Sequence, residues 1–464
     1  MTSSGDRARA GTSERMTTAE RGALASLSLA QFTTTLEFTV VFVALPGIAR
    51  ALDLAPSATA WVTGAYAVAF GGLLVLGGRL VDRVGARRLV LLAIAGFAVA
   101  SAVGTVAGDA ATLLVARAAQ GVAAAMLQPA VLGLMQSRFP DEPVRARAWT
   151  WWAGIGAAGL GAGALLGGLL SAVSWRLTFA INVPLVLACA LGVLCWIAPD
   201  PPRARAARVP LVAAGLVTGA AVTLALGLTL AAEHGVGVAA AACLVGAALL
   251  AAGFVFHESR PGRALIDPVL RRVRSLRVGL GATALYMASA GSAYYLLTLL
   301  LQDVWAYGPI RAGLAFLPLA AMVTVGSSAA RRATARVGPP MTLAGGFGLV
   351  AAGLGGLAAA APGLSYPVLL PGLLVSGLGN GIVFTTMFAL GTRDVPAPHH
   401  GTAGGLLATS QYLASSVTVA ALALVLGAAP APGDFRTAFW LLTAAAVVGT
   451  VLAVGVAAGG RRGS

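Results

Sequence analysis

One acidic residue lies in the middle of a long apolar stretch near the N-terminus. Glu37 is flanked by apolar and hydroxyl residues, and it is the only carboxylate that falls near the middle of any such stretch. An ionised carboxylate at the centre of a bilayer costs about 2.5 to 3.5 kcal/mol on insertion scales. Because binding a proton removes that charge, the position is suited to reversible protonation. Thr33 and Thr34 precede it by one helical turn and could hydrogen-bond it or contact a substrate. The alternative is a carboxyl that those hydroxyls satisfy and that does no further chemistry.

A single arginine interrupts another apolar stretch. Arg117 is followed three residues later by Gln120, which lies on the same helical face. Arginine is effectively always protonated, so inside a bilayer it must find carbonyl groups, water or a carboxylate. Two interpretations stay open, a clamp between helices and a role in proton or substrate coupling.

A basic segment with glycines connects two apolar stretches at residues 77–88. Gly78 and Gly85 permit a tight turn. Asp82 lies between arginines and can form ion pairs that make and break as helix bundles move. A charged loop with an incidental acid is the alternative, and the spacing does not choose between the two. The arginines of this segment are Arg79, Arg83, Arg87 and Arg88.

Three glycines recur at four-residue spacing, and a fourth follows them directly: Gly159, Gly163, Gly167 and Gly168. Such a stripe lets two helix backbones approach closely in lipid, where apolar burial gives little drive for helices to associate. No strand precedes these glycines, so a dinucleotide-binding loop is rejected.

The remaining polar residues give weaker signals. Asp303 lies at the end of a later apolar stretch. Its side chain could be a solvated residue at the rim of the protein or could contact substrate, and both interpretations stay open. The three cysteines and four histidines lack the spacing of a metal site. An enzyme would need a convergent set of nucleophile, base or metal ligands, so neither an enzyme nor a bound cofactor or metal is predicted.

Composition indicates a membrane protein. The 464 residues are 58% hydrophobic and 10% charged, with a mean hydropathy of +0.86, whereas soluble domains carry about 25% charged residues. A spanning helix needs about 20 apolar residues. The chain therefore has room for fourteen spans and for no large soluble domain.

Apolar stretches broken by proline, glycine and charge predict fourteen helices. They cover residues 22–45, 58–78, 88–107, 109–135, 146–171, 176–198, 209–231, 236–256, 276–301, 311–330, 339–361, 366–390, 402–428 and 436–458.

The arginines give an independent test of this count. All 31 basic residues are arginine; alternate connections and the two ends hold 26 of them, the other connections hold 4, and Arg117 lies inside a helix. Because arginine accumulates in short cytoplasmic loops, both termini are predicted to be cytoplasmic. The net charge of +15 is then a topology signal and a contact with anionic lipid headgroups, and no nucleic-acid partner is predicted.

The helices group as six, two and six. We expect a disordered cytoplasmic tail over residues 1–21, which lacks the apolar core of a signal peptide, and a cytoplasmic tail over 459–464. Between them we expect a six-helix bundle over 22–198, an inserted helical pair with basic linkers over 199–275, and a second six-helix bundle over 276–458.

Several of these segments, in this order, resemble motifs of the major facilitator superfamily, specifically its fourteen-helix drug:proton antiporter branch of the EmrB/QacA type. Residues 78–88 look like its signature loop, residues 114–121 like the fourth-helix motif implicated in proton coupling, and the glycine stripe like the antiporter motif of exporters. The segment from Trp175 to Pro184 resembles the start of the sixth helix in this branch. The resemblance covers about residues 22–458.

Two positions depart from the pattern. The first-helix motif usually has aspartate where this chain has Glu37, which keeps the carboxylate one methylene further out. The antiporter motif usually has proline after Gly163, but this chain has Ala164, and without proline a local kink is weaker.

The resemblance implies an all-α fold of two bundles around a central cavity, with alternating access to the two sides of the cell membrane. It implies proton-driven efflux of hydrophobic or singly cationic molecules, such as an antibiotic, without a cofactor and by a monomer; an uptake carrier or metabolite facilitator on the same fold is the alternative. Glu37 would carry the proton, with Arg117 and Gln120 tuning its release. The 78–88 loop would latch one state of the cavity, and the glycine stripe would be the sliding surface.

Overall fold

Fourteen long apolar helices make up almost all of the described chain. The computed structural model describes residues 16–139, 141–200, 211–235, 237–260, 266, 268–360, 365–396, 400–427 and 431–461, and these residues contain no β-strand. Their fourteen helices that are long and apolar enough to cross a membrane, called spans 1 to 14, are Thr18–Ala51, Ala58–Val81, Ala86–Val106, Ala110–Arg138, Gly154–Val173, Leu177–Trp196, Leu211–Ala231, Val238–Ser259, Arg274–Val304, Pro309–Val337, Pro339–Ala360, Tyr366–Thr392, Thr402–Leu426 and Gly433–Ala458. The predicted all-α fold with fourteen spans is confirmed.

The boundaries predicted for the two terminal tails fall inside helices. Span 1 begins at Thr18 because Thr17 caps it: the Glu20 amide donates to Thr17 Oγ1 at 3.2 Å, and the Thr17 amide donates to the Glu20 carboxylate at 2.8 Å. This reciprocal pairing satisfies amides that a helix start otherwise leaves free. At the other end the last helix runs to Arg461. Residues 1–15 and 462–464 lie outside the described residues.

Part of one predicted linker is helical. A short helix, Pro268–Arg272, lies between spans 8 and 9. The Glu258 carboxylate at the end of span 8 accepts hydrogen bonds from the Arg271 side chain at 2.7 Å and from the Ile266 amide at 3.1 Å. These bonds fold the connection back onto the end of span 8. The basic residues 203–208 lie outside the described part of the chain.

Spans 1–6 pack mainly with one another, and so do spans 9–14. In the first group span 1 lies against spans 5 and 6 while span 4 lies against spans 2 and 3; in the second group span 12 lies against spans 9, 10 and 11. The two groups meet along span 2 with span 13 and along span 5 with span 10. We call these contacts the 2–13 seam and the 5–10 seam.

The inserted pair covers one of these seams. Span 7 packs against both span 2 and span 13, and span 8 packs against span 7. The indole N–H of Trp61 donates to Thr229 Oγ1 at 2.8 Å, and Gly72 lies so close to Thr218 that an added Cβ would be 2.3 Å from its hydroxyl oxygen. Span 8 exposes large apolar side chains such as Leu249 and Phe256, as expected of a helix whose outer face meets lipid.

We call the side of the membrane at which span 1 begins the arginine-rich side. Arginines cluster there where span 2 ends and span 3 begins, and again at the end of span 10. The other side is the arginine-poor side. Span 9 runs toward the arginine-poor side and contains two π-helical segments, Met287–Gly291 and Leu300–Val304. Such wide turns are rare and occur frequently at functional sites.

Candidate functional site

Glu37 and Arg117 form an ion pair inside the first bundle. Glu37 on span 1 is 0% exposed and Arg117 on span 4 is 2% exposed, and Arg117 Nη1 donates to Glu37 Oε1. The Asn182 side chain, at the start of the long helix of span 6, donates to the other carboxylate oxygen. Both oxygens of the acid are therefore hydrogen-bonded, which is what keeps a buried charge tolerable.

Further partners fix the Arg117 guanidinium. Its Nε donates to the Val62 carbonyl at 2.7 Å, and Nη1 donates to Gln120 Oε1 at 2.9 Å. The ring of Tyr66 lies 4.7 Å from the guanidinium carbon, a cation–π contact. The Gln120 amide donates onward to Ser101 Oγ at 2.9 Å. The pair thus ties together spans 1, 2, 3, 4 and 6.

Two expectations for Glu37 were wrong. Thr33 Oγ1 donates to the Leu29 carbonyl and Thr34 Oγ1 donates to the Gln31 carbonyl, each at 2.9 Å. Threonine hydroxyls reach the carbonyls of the preceding helical turn easily, so neither bonds the acid. The partner that sequence reasoning missed is Asn182; an amide in an otherwise apolar span was the available signal.

Arg117 lines a small cavity whose described lining residues do not include Glu37. This cavity of about 10 Å³ lies between the two bundles, against the guanidinium. Its walls include Phe38, Thr63, Tyr66, Ser415 and Ser416. Arg117 therefore separates the buried acid from the 2–13 seam.

The glycine stripe of span 5 faces span 1. An added Cβ at Gly159 would lie 2.2 Å from Thr35 Oγ1, at Gly163 2.0 Å from Thr39 Oγ1, and at Gly167 3.0 Å from the Val40 carbonyl oxygen. Gly168 faces the other bundle instead, where its Cβ would be 2.6 Å from the Pro309 carbonyl oxygen. The stripe thus holds spans 1 and 5 together, and its last glycine lies in the 5–10 seam.

At Ala164, where the antiporter motif usually has proline, the backbones of spans 5 and 10 approach each other closely. A Cβ added at Gly313 of span 10 would lie 2.8 Å from the Ala164 carbonyl oxygen. Ala164 itself is buried, so a small residue here permits the two bundles to touch.

The 78–88 segment turns sharply at Gly85, whose φ of 100° lies in the region that favours glycine. The amides of Arg87 and Arg88 donate to the Asp200 carboxylate at 3.0 and 3.2 Å. Asp200 follows span 6 and was not singled out from the sequence. The turn is therefore tied to the end of span 6 within the same bundle.

The other members of the segment have different surroundings. An added Cβ at Gly78 meets open space, whereas one at Gly77 would lie 2.1 Å from the Ala125 carbonyl oxygen of span 4. Gly78 lies within the helix Pro56–Val84, so the tight turn expected at Gly78 and Gly85 is formed at Gly85, and the close backbone approach is at Gly77. Arg83 is exposed. The side chain of Asp82 lies outside what the structure describes.

Asp303 lies at the arginine-poor end of span 9, in its second π-helical segment. It lines a cavity of about 220 Å³ with Pro46, Thr59 and Tyr295. The neighbouring Gln302, which sequence reasoning missed, donates to the Val43 carbonyl of span 1 at 2.7 Å. That bond joins the two bundles near the same end.

Comparison with known proteins gives the family. The sequence pattern of the Major Facilitator Superfamily matches residues 27–419. A puromycin resistance protein of Streptomyces alboniger is 36% identical over 406 residues, which is 85% of this chain and 79% of the relative. A cephamycin export protein of Amycolatopsis lactamdurans is 34% identical, covering 87% and 85%, and a multidrug efflux pump of Mycolicibacterium smegmatis is 31% identical, covering 87% and 80%.

Solved structures show the same fold at lower identity. A peptide transporter in complex with sulfate has a TM-score of 0.69 at 17% identity and covers 96% of each chain. A D-xylose–proton symporter has a TM-score of 0.66 at 14% identity, covering 93% of this chain and 96% of the other. Transporters of this family act on small molecules and generally need no cofactor, and none of these relatives is an enzyme. The chain therefore belongs to the Major Facilitator Superfamily and is a multi-pass membrane transport protein.

Proposed function

We propose that this protein exports hydrophobic small molecules, neutral or singly cationic, across the cytoplasmic membrane in exchange for protons. Antibiotics are the natural candidates, because relatives that share about a third of its residues are named for puromycin resistance, cephamycin export and multidrug efflux. The observation that carries proton exchange is the buried pair of Glu37 with Arg117.

The pair supplies a mechanism for coupling. Because Arg117 keeps its proton, protonation of Glu37 leaves a buried cation without its counter-charge. Breaking a buried ion pair in this way costs about 3 to 5 kcal/mol. That cost favours any arrangement of the bundles in which the guanidinium meets water or another partner, so protonation shifts the population of conformers.

The charge of the site bears on the substrate. Glu37 is matched by Arg117 in the conformation described, and the next acid, Asp303, lies near the arginine-poor end of span 9. A site with so little free negative charge suits neutral molecules and single cations better than dications.

The membrane orientation follows from the arginines. The arginine-rich side would be cytoplasmic, since arginine is enriched in cytoplasmic loops, which places both termini inside. Each chain carries both bundles and the whole ion pair, so we propose that a monomer is sufficient for transport.

The packing surfaces support roles for the other motifs. Gly159, Gly163 and Gly167 would be the close-packed backbone contact that keeps span 5 with span 1 as the bundles rock. Gly168 would belong to the surface that separates when the 5–10 seam opens. The loop with Gly78, Asp82, Arg83, Gly85, Arg87 and Arg88 would latch the state closed at the cytoplasmic side.

The test uses everted membrane vesicles whose lumen is acidified by ATP hydrolysis. With puromycin and ethidium as probes, we expect accumulation by the wild type, collapse of that accumulation by a protonophore, and none with Glu37→Gln. The matched control is Asp53→Asn, which removes an exposed carboxylate from a residue with φ 50° that asparagine tolerates. Accumulation that a protonophore leaves intact contradicts proton exchange, and proton-driven loss of probe from everted vesicles favours an uptake carrier.

A further inference from the structure

The small cavity beside Arg117 has the size and chemistry of a water site. Its volume of about 10 Å³ is close to what one water needs. Two of the residues in its wall, Tyr66 and Ser416, carry a buried hydroxyl that has no hydrogen-bond partner among the described residues. Tyr66 is 2% exposed and Ser416 is 3% exposed. A buried hydroxyl without a hydrogen-bond partner costs about 1 to 3 kcal/mol of stability. One bound water would supply the missing hydrogen bond.

The two hydroxyls come from opposite bundles. Tyr66 belongs to span 2 and Ser416 to span 13, so a water between them bridges the 2–13 seam. The guanidinium of Arg117 lines the same cavity, with the carboxylate of Glu37 directly behind it. Among the described residues the charged groups at this point are Arg117 and Glu37, and the titratable groups beside them are Tyr66 and Tyr412.

A second cavity lies one helical turn further toward the arginine-poor side. Three spans line both cavities with residues four positions apart: Phe42 and Pro46 on span 1, Thr63 and Thr59 on span 2, and Val419 and Ala423 on span 13. Four residues advance a helix by about 6 Å. The cavity of about 220 Å³ therefore lies directly above the water-sized one, with Asp303 at its wall and the charge of Arg50 acting on that acid.

An aromatic layer closes the opposite direction. The ring of Tyr412 on span 13 packs edge-on against Phe70 at 4.2 Å and against Phe38 at 6.3 Å. An added Cβ at Gly71 would lie 2.9 Å from Tyr412 Cβ, so the backbones are also close. The path from the small cavity toward the arginine-rich side is blocked in this conformation.

We propose that these two cavities form a water path by which protons from the arginine-poor side reach the Glu37–Arg117 pair, with one bound water held by Tyr66, Ser416 and Arg117 at its inner end. Asp303 at the wider cavity attracts cations to its mouth. The proposal rests on the proposed proton exchange for its physiological meaning, and the experiments below test the path without measuring transport. Ser416 of the second bundle would then be a positioning residue, because it holds the water beside the proton site of the first bundle.

The bound water is tested by X-ray radiolysis, in which hydroxyl radicals form from water inside the protein and oxidise adjacent side chains, followed by mass spectrometry on the full chain. We expect oxidation of Tyr66 despite its burial. Tyr286 is the internal reference, because it is also buried but its hydroxyl donates to Asn380 at 2.6 Å. Tyr66 that is oxidised no faster than Tyr286 overturns the water site.

Gly64→Ala removes the water with little strain, since its Cβ would be 3.5 Å from Ser416 Oγ, an ordinary contact. We expect oxidation of Tyr66 to fall to the level of Tyr286 in this variant. Gly405→Ala in span 13, where an added Cβ meets open space, is the matched control and keeps the wild-type pattern. Unchanged oxidation in Gly64→Ala overturns the proposal.

The direction of the path is tested by cysteine labelling. In a chain with Cys189, Cys195 and Cys243 replaced by alanine, Ala423→Cys, at a residue that lines the wider cavity, is treated with a small impermeant cationic methanethiosulfonate in right-side-out or everted vesicles. We expect modification from the arginine-poor face only, and slower modification after Asp303→Asn, because an acid at the mouth raises the local concentration of cations. A neutral reagent should not respond to Asp303→Asn. Thr59→Cys, at another residue that lines the wider cavity, serves if the first variant does not fold.

Modification from the arginine-rich face, or from neither face, overturns the path. Neither measurement involves transport. Oxidation of Tyr66 together with protonophore-insensitive transport would support the water path and contradict proton exchange. Protonophore-sensitive transport without oxidation of Tyr66 would support proton exchange and contradict the water path.

Discussion

Gly338 in the second bundle occupies the position that Gly85 occupies in the first. Each glycine is preceded by Arg-Val, each separates a span that ends at the arginine-rich side from the next span, and each has a positive φ, 100° at Gly85 and 79° at Gly338. Each amide donates to the carbonyl four residues earlier at 3.0 Å. The two halves are thus built on a common turn, a repeat that the sequence signals only in these three residues.

The turn predicts a backbone effect of substitution. Gly338→Ala should destabilise the protein by about 1 to 2 kcal/mol, which is the cost of a left-handed conformation for a residue with a Cβ. No atom lies near the added methyl group, so a steric clash does not contribute to this loss. Gly78→Ala is the control, since it also meets open space but lies within a helix; there alanine should be neutral or slightly stabilising. Thermal unfolding in detergent compares the two, and equal midpoints would contradict the role of φ.

The ion pair predicts that its two members depend on each other for stability. Glu37→Gln or Arg117→Met alone should destabilise the protein by about 3 to 5 kcal/mol, because each leaves a buried charge unpaired or poorly matched. The double variant should recover much of this loss while remaining unable to couple transport to protons. Thermal unfolding of the four chains measures the interaction, and strictly additive losses would contradict a direct pair.

Glu37→Asp provides a separate test of coupling. The carboxylate remains but is one methylene shorter, so we expect weaker proton-driven efflux than in the wild type and more than in Glu37→Gln, which cannot exchange a proton. Efflux of ethidium from cells is measured over a range of external pH. Wild-type coupling in Glu37→Gln would remove Glu37 from the proton path.

Asn182 predicts an effect on coupling as well as on stability. Asn182→Ala should cost about 1 to 3 kcal/mol and also change the external pH dependence of efflux, because it removes a hydrogen bond to Glu37. Asn380→Ala in the second bundle loses a buried hydrogen bond from Tyr286 and should lower stability without moving the pH profile. Identical pH profiles for the two variants would make Asn182 a purely structural residue.

The glycine stripe predicts opposite outcomes at two neighbouring glycines of span 5. Gly163→Ala places a methyl group 2.0 Å from Thr39 Oγ1 and 2.6 Å from the Leu36 carbonyl oxygen, so the helices must separate at a cost of about 1 to 3 kcal/mol. Gly161→Ala faces Ala320 Cβ at 3.5 Å, an ordinary contact, and should be tolerated. Expression and unfolding midpoints distinguish them; equal tolerance would show that spans 1 and 5 are not tightly packed.

Some features of this protein follow from the sequence alone. The number of spans and the uneven distribution of arginine are properties of separate local segments. Hydropathy and charge therefore reveal them without any knowledge of packing. For the same reason Glu37 and Arg117 stand out individually, since an ionised group inside an apolar span is costly wherever its partner lies.

The tertiary structure decided which of these groups meet. Glu37 pairs with residues 80 and 145 positions away, Arg117 and Asn182, and not with the threonines one turn before it. Helical periodicity tells which residues share a face, but not which face of another span it meets. The same limit applies to the close approach of Gly77 to span 4, to the position of span 7 across the 2–13 seam, and to the cavity that Tyr66 and Ser416 both line. Each of these depends on contact between segments that are distant along the chain.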